Sequence, residues 1–411
     1  MQRAKDVIVS KLDSRTAMEL ETCIHCGMCS EACHFFETTH EAKYTPIWKA
    51  QLVRSVYRRE LSPLRWLNRL FIPEITAKDL QDWQDLLFNA CTECGRCDLM
   101  CPVGIQITRS IRIGRQALAA ADLLPPELRG LNHEQTEHNT LFGVGTQQLR
   151  EAVDSLRNEG IEVPVDKPQA DVLLLTSVSD ILLYRASMAA TAKILNKLKV
   201  NWTIRSEAFE ASNFGFLSGD EDSQLVEARR VIAVAKACGA KTVITPECGH
   251  AYPALRFDAP DQLGEPLSFD VLAISEYVGR AVRDGRLKLN RVGDKKVTYH
   301  DPCKIGRHGG VFKEPREIFE ALGVELREME SHGKTQYCCG GGGGNYMLQG
   351  ASELRRRTFE IKMRQVEDTG ANSLVTTCDT CRMTFQTGAK RAAWDRPVES
   401  LIEMVAANLA D

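Results

Sequence analysis

Thirteen of the fifteen cysteines in this chain fall into three dense sets, and no other feature narrows its possible folds as much. Two sets share one spacing: Cys23-x2-Cys26-x2-Cys29-x3-Cys33 and Cys91-x2-Cys94-x2-Cys97-x3-Cys101-Pro102. The third has Cys303, then the pair Cys338-Cys339 ahead of five glycines, then Cys378-x2-Cys381. Cysteines this dense form either disulfides in an exported protein or metal sites in a reducing compartment. Met1–Ser10 has neither an apolar core nor a small-residue cleavage site, so it does not read as an export signal. Metal is the expectation, and the cytoplasm is the expected compartment.

Four thiolates spaced 2-2-3 suit a cube of iron and sulfide, because the short gaps turn backbone amides toward the cluster sulfurs. The fourth cysteine of such a run turns away and serves the other cluster of a pair. A crossed arrangement is therefore expected. Cys23, Cys26, Cys29 and Cys101 would hold one cubane [4Fe–4S] cluster, and Cys91, Cys94, Cys97 and Cys33 the other. Zinc usually draws two cysteines from each of two separated pairs. Four cysteines within eleven residues, twice over, fit a cube better. His34 follows Cys33 where proline is usual; proline there favours the turn and is not a ligand, so the change is given no weight. The 57 residues between Cys33 and Cys91 suit a helical ferredoxin domain of the kind found in multi-subunit oxidoreductases.

A chain of 411 residues reads as two or three domains, and its 43% hydrophobic content is ample for their cores. A formal charge of −3 offers no basic footprint for nucleic acid. No run reaches the roughly 18 apolar residues a spanning helix needs, so no transmembrane segment is expected. Residues 1–125 read as helical, with helices at Ser14–Leu20, Trp48–Glu60, Asp79–Phe88 and Arg115–Leu123. Residues 126–168 read as a linker carrying one helix, Thr146–Asn158. From Ala170 the texture changes. Strands at Ala170–Ser177, Asn201–Ile204 and Thr242–Thr245 alternate with helices at Leu182–Leu198 and Asp222–Cys238, which predicts a layered α/β domain with a largely parallel sheet.

The second half of the chain echoes the first at a period near 130 residues. Val297–Tyr299 matches Val172–Leu174 as an opening strand, and Ala211–Gly215 takes the place of Tyr337–Gly340. Ala237–Thr245 echoes Thr369–Thr376, and Cys248-Gly249-His250 then stands where Cys378–Cys381 does. The expected fold class is α+β and multi-domain. An N-terminal α-helical two-cluster ferredoxin domain (1–125) precedes two pseudo-symmetric α/β domains, at 169–290 and 291–411.

The third cysteine set, with His300-Asp301-Pro302-Cys303 before it and Cys338-Cys339-Gly340-Gly341-Gly342 at its centre, resembles the cysteine-rich CCG domain of the heterodisulfide reductase family. A two-cluster ferredoxin domain fused to two CCG-type repeats is an architecture of that family, so the resemblance spans nearly the whole chain. It implies a noncubane [4Fe–4S] cluster on Cys303, Cys338, Cys339, Cys378 and Cys381. Gly340, Gly341 and Gly342 would let the backbone approach that cluster and take positive φ. Of the cysteines a full first repeat would carry, only Cys248 is present, so a second noncubane cluster is not expected. The chain is similar to the one-cluster branch, which includes the catalytic subunit of the membrane complex associated with dissimilatory sulfite reductase.

That resemblance implies reversible thiol/disulfide redox chemistry at the noncubane site, with a disulfide or a sulfur-carrier protein as substrate. The expected partners are other redox subunits: a flavoprotein, or a membrane cytochrome or quinone-reactive subunit on the inner face of the membrane. The alternative is an electron relay of the glycolate or glycerol-3-phosphate dehydrogenase type that feeds quinone. No GxGxxG fingerprint opens a βαβ unit, so no flavin is expected on this chain. Cys248 and His250 are the candidate catalytic pair, as substrate-pairing thiol and proton donor; the plain alternative is a cysteine left over from a lost cluster. Cys238 reads as core. Trp48–Phe71 mixes arginines with aromatic residues; such a stretch can rest on a membrane or a partner, but the favoured reading is a helix packed on the clusters with solvated arginines.

Overall fold

The computed structural model describes all 411 residues, and they form two compact units. The first gathers residues 1–130, 214–221 and 334–363; the second gathers 131–213, 222–333 and 364–411. Contacts therefore divide the chain along other lines than its sequence order. Two short segments leave the α/β region to join the helical one.

The first unit is helical because its apolar residues recur at helical spacing, and two of its helices start at side-chain caps. Asp13 accepts from the Thr16 amide at 2.7 Å and starts Ser14–Thr22. Thr76 and Asp79 form a reciprocal capping box ahead of Ala77–Asn89. Ile107–Ala120 runs through the middle of the unit. It presses so closely on Ala77–Asn89 that a Cβ at Gly114 would lie 2.7 Å from Leu87 Cδ1. This helix extends well upstream of the stretch expected from sequence, and Gln2–Lys11 is a helix the sequence reading did not find.

Arg115, on that central helix, is wholly buried. Its guanidinium donates to the carbonyls of Leu87 (2.8 Å), Cys91 (2.7 Å), Leu217 (2.6 Å) and Gly343 (2.8 Å), and stacks over Phe88. Glu93 Oε2 lies 3.4 Å away as its counter-charge. One side chain thus ties together the second cysteine motif, segment 214–221 and the glycine loop after Cys339.

The second unit holds two four-stranded parallel sheets. The first comprises β1 (Val172–Leu174), β2 (Trp202–Thr203), β3 (Thr242–Thr245) and β4 (Asp270–Ala273), in the order β2-β1-β3-β4. The second comprises β5 (Lys296–His300), β6 (Glu325–Leu326), β7 (Ser373–Thr376) and β8 (Val398–Ser400), in the order β6-β5-β7-β8. The two orders are the same. Strand β3 and helix Thr146–Asn158 fall at the residues expected, whereas β1 and β2 are shorter than the apolar runs that suggested them. Residues 126–168 carry two helices, Pro126–His138 and Thr146–Asn158, rather than one. Cys238 is core, among Ala235, Val243 and Val271. No helix is long and apolar enough to cross a membrane.

Replacing Arg115 with Met should strand four buried carbonyls and leave Glu93 without its full counter-charge. The expected loss is about 3–5 kcal/mol, the usual cost of breaking a buried charge network. Anaerobic denaturant unfolding measures it. Arg109→Met, on the same helix but partly exposed, should change stability by under about 1 kcal/mol.

Candidate metal centres

Two cavities of similar size lie in the first unit. One is lined by Cys91, Cys94 and Cys97 together with Cys33; the other by Cys23, Cys26 and Cys29 together with Cys101. Each motif contributes three sulfurs to one cavity and its last cysteine to the other. Left-handed glycines make the turns: Gly27 (φ +81°) follows Cys26 and Gly95 (φ +77°) follows Cys94. The two cavities differ in their surroundings. Cys26 is exposed, while Cys91 and Cys97 are buried. Burial pushes the Cys91 thiol up to about 11 and the Cys97 thiol well above its ordinary range. Thiolates there need added positive charge close by, and a metal supplies it. The donor set and the paired, crossed cavities fit iron–sulfur cubes.

The glycine run packs directly on the second motif. A Cβ at Gly343 (φ +61°) would lie 3.0 Å from the Thr92 carbonyl carbon and oxygen, and Gly342 lies over the same residue. Asn345, fully buried, donates to the carbonyls of Phe88 (3.1 Å) and Asn89 (2.7 Å). Arg96, within the second motif, donates to the Thr335 carbonyl at 2.7 Å and stacks on Tyr337. The Cys338-Cys339 loop is therefore fastened at both ends to the segment that carries Cys91 and Cys94. Both of its cysteines are buried.

The other three cysteines of the third set belong to the second unit. Cys303 follows β5, and Cys378 and Cys381 follow β7; all three are buried at the carboxyl ends of inner strands, where open α/β sheets place ligands. His300, at the end of β5, is fully buried with its ring edge-on to Phe385. Cys248 follows β3 and meets the same region. A Cβ on Gly249 would lie 3.0 Å from Cys378 Sγ, and the Asp379 amide donates to the Glu247 carbonyl at 2.6 Å. Cys248 Sγ lies 3.5 Å from His250 Nδ1 and 4.0 Å from Ser212 Oγ. Burial drives the Cys248 thiol well above its usual range and pushes His250 down to about 4.

Buried acids surround this pair, and sequence reading missed them because they are scattered singly through the chain. Asp379 accepts from the hydroxyls of Ser177 (3.1 Å) and Ser179 (2.6 Å), and Glu247 from Ser400 at 2.6 Å. Burial first, and then repulsion from Asp379, raises Asp180 and Glu247. Glu210 accepts from the Ser212 amide at 2.7 Å, while its Oε2 is sealed from solvent without a partner. Burial pushes it up to about 7.

Trp48–Phe71 divides in two. Helix Gln51–Glu60 packs inward through Leu52, Val53, Val56 and Tyr57, and Arg54 donates to the Cys23 carbonyl at 3.3 Å. Helix Arg65–Phe71 corrects the sequence reading. It buries only Asn68 and leaves Trp66, Leu70 and Phe71 exposed, by 68%, 74% and 77%.

Comparison with known proteins agrees with this organisation. A 4Fe-4S dicluster domain matches residues 19–105, and a cysteine-rich (CCG) domain matches residues 297–386. The chain is 27% identical to a dihydromethanophenazine:CoB–CoM heterodisulfide reductase subunit of Methanosarcina mazei, over 98% of both chains. It is 26% identical to the Hdr-like menaquinol oxidoreductase iron–sulfur subunit 2 of Archaeoglobus fulgidus, covering 97% of this chain and 80% of that one. It is also 26% identical to an EtfAB:quinone oxidoreductase of Syntrophomonas wolfei, covering 91% of this chain and 56% of that one. A crystal structure of a hypothetical protein from Helicobacter pylori shares the fold, with a TM-score of 0.55 and 11% identity over 98% of this chain and 74% of that one.

Gly343→Ala should cost at least about 1–2 kcal/mol for its left-handed backbone, and more for the contact with Thr92. Gly130→Ala, in a helix with open space around it, should gain about 1 kcal/mol. Chemical denaturation of the two variants beside the parent chain measures both. Glu210, raised from an ordinary 4.5 to about 7, gives stability that is full below about pH 4.5 and lost as pH rises through about 7. That loss approaches about 3 kcal/mol at 1.36 kcal/mol per pH unit. Unfolding curves between pH 5.5 and 8 should therefore slope less in Glu210→Gln than in the parent chain; equal slopes would contradict the assignment.

Proposed function

We propose that this chain, which resembles heterodisulfide reductase subunits along nearly its whole length, passes single electrons through two cubane [4Fe–4S] clusters to a third, noncubane cluster for thiol/disulfide chemistry. The observation that carries the reading is the pair of crossed cavities, each lined by three sulfurs of one motif and one of the other. Cys23, Cys26, Cys29 and Cys101 are the ligands of one cube, and Cys91, Cys94, Cys97 and Cys33 of the next. Cys303, Cys338, Cys339, Cys378 and Cys381 take the noncubane cluster, a set that rests on the resemblance. Gly340, Gly341 and Gly342 give the backbone its close approach. When bound, such clusters supply one-electron transfer and, at the third site, iron open to sulfur.

The like order of the two sheets supports an internal duplication, with a degenerate repeat over 169–290 and a complete one over 291–411. Segments 214–221 and 334–363 hold equivalent places in the two repeats, and both join the helical unit. Duplication puts Cys248 opposite the cysteines of the complete repeat, which agrees with Gly249 lying against Cys378. Reducing a disulfide consumes two electrons and two protons. In this reading Cys248 exchanges with the substrate disulfide: a mixed disulfide forms as the substrate S–S bond breaks, and the Cys248 proton passes by way of His250 to the sulfur that leaves. Two electrons with two protons then release the second thiol and restore Cys248. Because burial keeps His250 neutral, it acts through its N–H as a relay rather than as a standing cation.

The second reading, a relay that delivers flavin-derived electrons to quinone, is favoured by the match to EtfAB:quinone oxidoreductase. In either case the chain works with other redox subunits. Anaerobically purified protein should hold about twelve irons and as many sulfides per chain; about eight would remove the third cluster. Cys248→Ser should keep that iron content and lose most thiol turnover. Full turnover in the variant would leave the relay reading.

A further inference from the structure

Two buried polar groups in the first unit lack the partners that burial ordinarily demands. Lys49 is 2% exposed, and the only hydrogen bond its ammonium makes is to Cys33 Sγ, at 3.3 Å. His34 is also 2% exposed, and neither of its ring nitrogens has a partner. Both line the cavity of Cys33, Cys91, Cys94 and Cys97. The other cavity differs: Cys26 is open to solvent, its histidine, His25, is exposed, and Arg54, which donates to the Cys23 carbonyl, does not line it.

A buried ammonium is strongly unfavourable unless something pairs with it, and a buried imidazole is so to a lesser degree. Four thiolates and a cluster carry net negative charge in that cavity, which is the compensation Lys49 lacks. The orphaned N–H of His34 faces the same space and is left to donate to a cluster sulfur or thiolate.

We infer that Lys49 and His34 bias the Cys33–Cys91–Cys94–Cys97 cluster toward its reduced form, so that electrons collect at the site whose Thr92 backbone touches the glycine loop after Cys339. One-electron reduction adds one negative charge to the cluster and no proton. A cation and a donated hydrogen bond at the sulfurs both stabilise that added charge, and burial magnifies them by excluding water. His34 stands where proline would donate nothing, so the replacement at this position has a purpose. Lys49 and His34 are positioning residues: they act through the cluster and touch no substrate. The inference rests on the proposed cubane clusters, and iron content separates its failure from theirs.

The test is an anaerobic redox titration of the full chain followed by EPR, with iron and sulfide measured on every sample. Lys49→Met and His34→Leu should keep all iron, lower the midpoint potential of one cubane signal and leave the other in place. Lys49→Arg and His34→Gln, which still donate, should restore most of the shift. Unchanged midpoints in iron-replete Lys49→Met and His34→Leu would overturn the inference. So would loss of about four irons from every variant, since both groups would then only support the fold. A parent chain with fewer than about eight irons would instead remove the cubane reading beneath it.

Discussion

The helical unit depends on one buried guanidinium. Arg115 joins the carbonyls of Leu87, Cys91, Leu217 and Gly343, which come from separate stretches of chain. Two of those stretches are the segments that leave the α/β region. An arginine suits this place because its planar fork offers five donors in fixed directions and stays charged when buried. Glu93 answers the charge, and Phe88 covers the guanidinium face. The result is a fixed distance between the second cysteine motif and the Cys338-Cys339 loop. Electron transfer needs such fixity, because its rate falls steeply with separation.

Glycine makes the same contact possible from the other side. Of the three glycines expected to take positive φ only Gly340 does, not Gly341 or Gly342; Gly343 and Gly344 also take it, and Gly343 brings backbone against the backbone of Thr92. A side chain there would open the gap. The loop is thus a packing device that leads from one cysteine motif toward the next. No lysine with serine or threonine follows it, as a phosphate cradle would need.

Much of this was legible in the sequence, and the reasons differ by element. Cysteine spacing is a short-range signal, so the two motifs and their crossing could be read directly. The strand β3 and helix Thr146–Asn158 were equally local. Arg115 was not legible, since its partners lie up to 228 residues away. The same holds for the buried acids around Cys248: Asp180, Glu247 and Asp379 converge, with Ser177 between two of them, only after both sheets have formed. His34 is visible in the sequence, but its setting depends on a cavity that only the fold creates. Helix Arg65–Phe71 was misjudged because its arginines and aromatics suit burial and exposure alike, and only the packing decides.

Two cubes as wiring and one open cluster as the place where sulfur is handled make a single claim, and access of thiol to the third cluster is its centre. The direct measurement is EPR of the full chain, oxidised in the presence and absence of a small thiol. A new paramagnetic signal that appears only with thiol, and is weakened in Cys248→Ser, is the result this account predicts. A spectrum indifferent to thiol, together with rapid reduction by an electron-transferring flavoprotein, would contradict it and leave the chain as a relay.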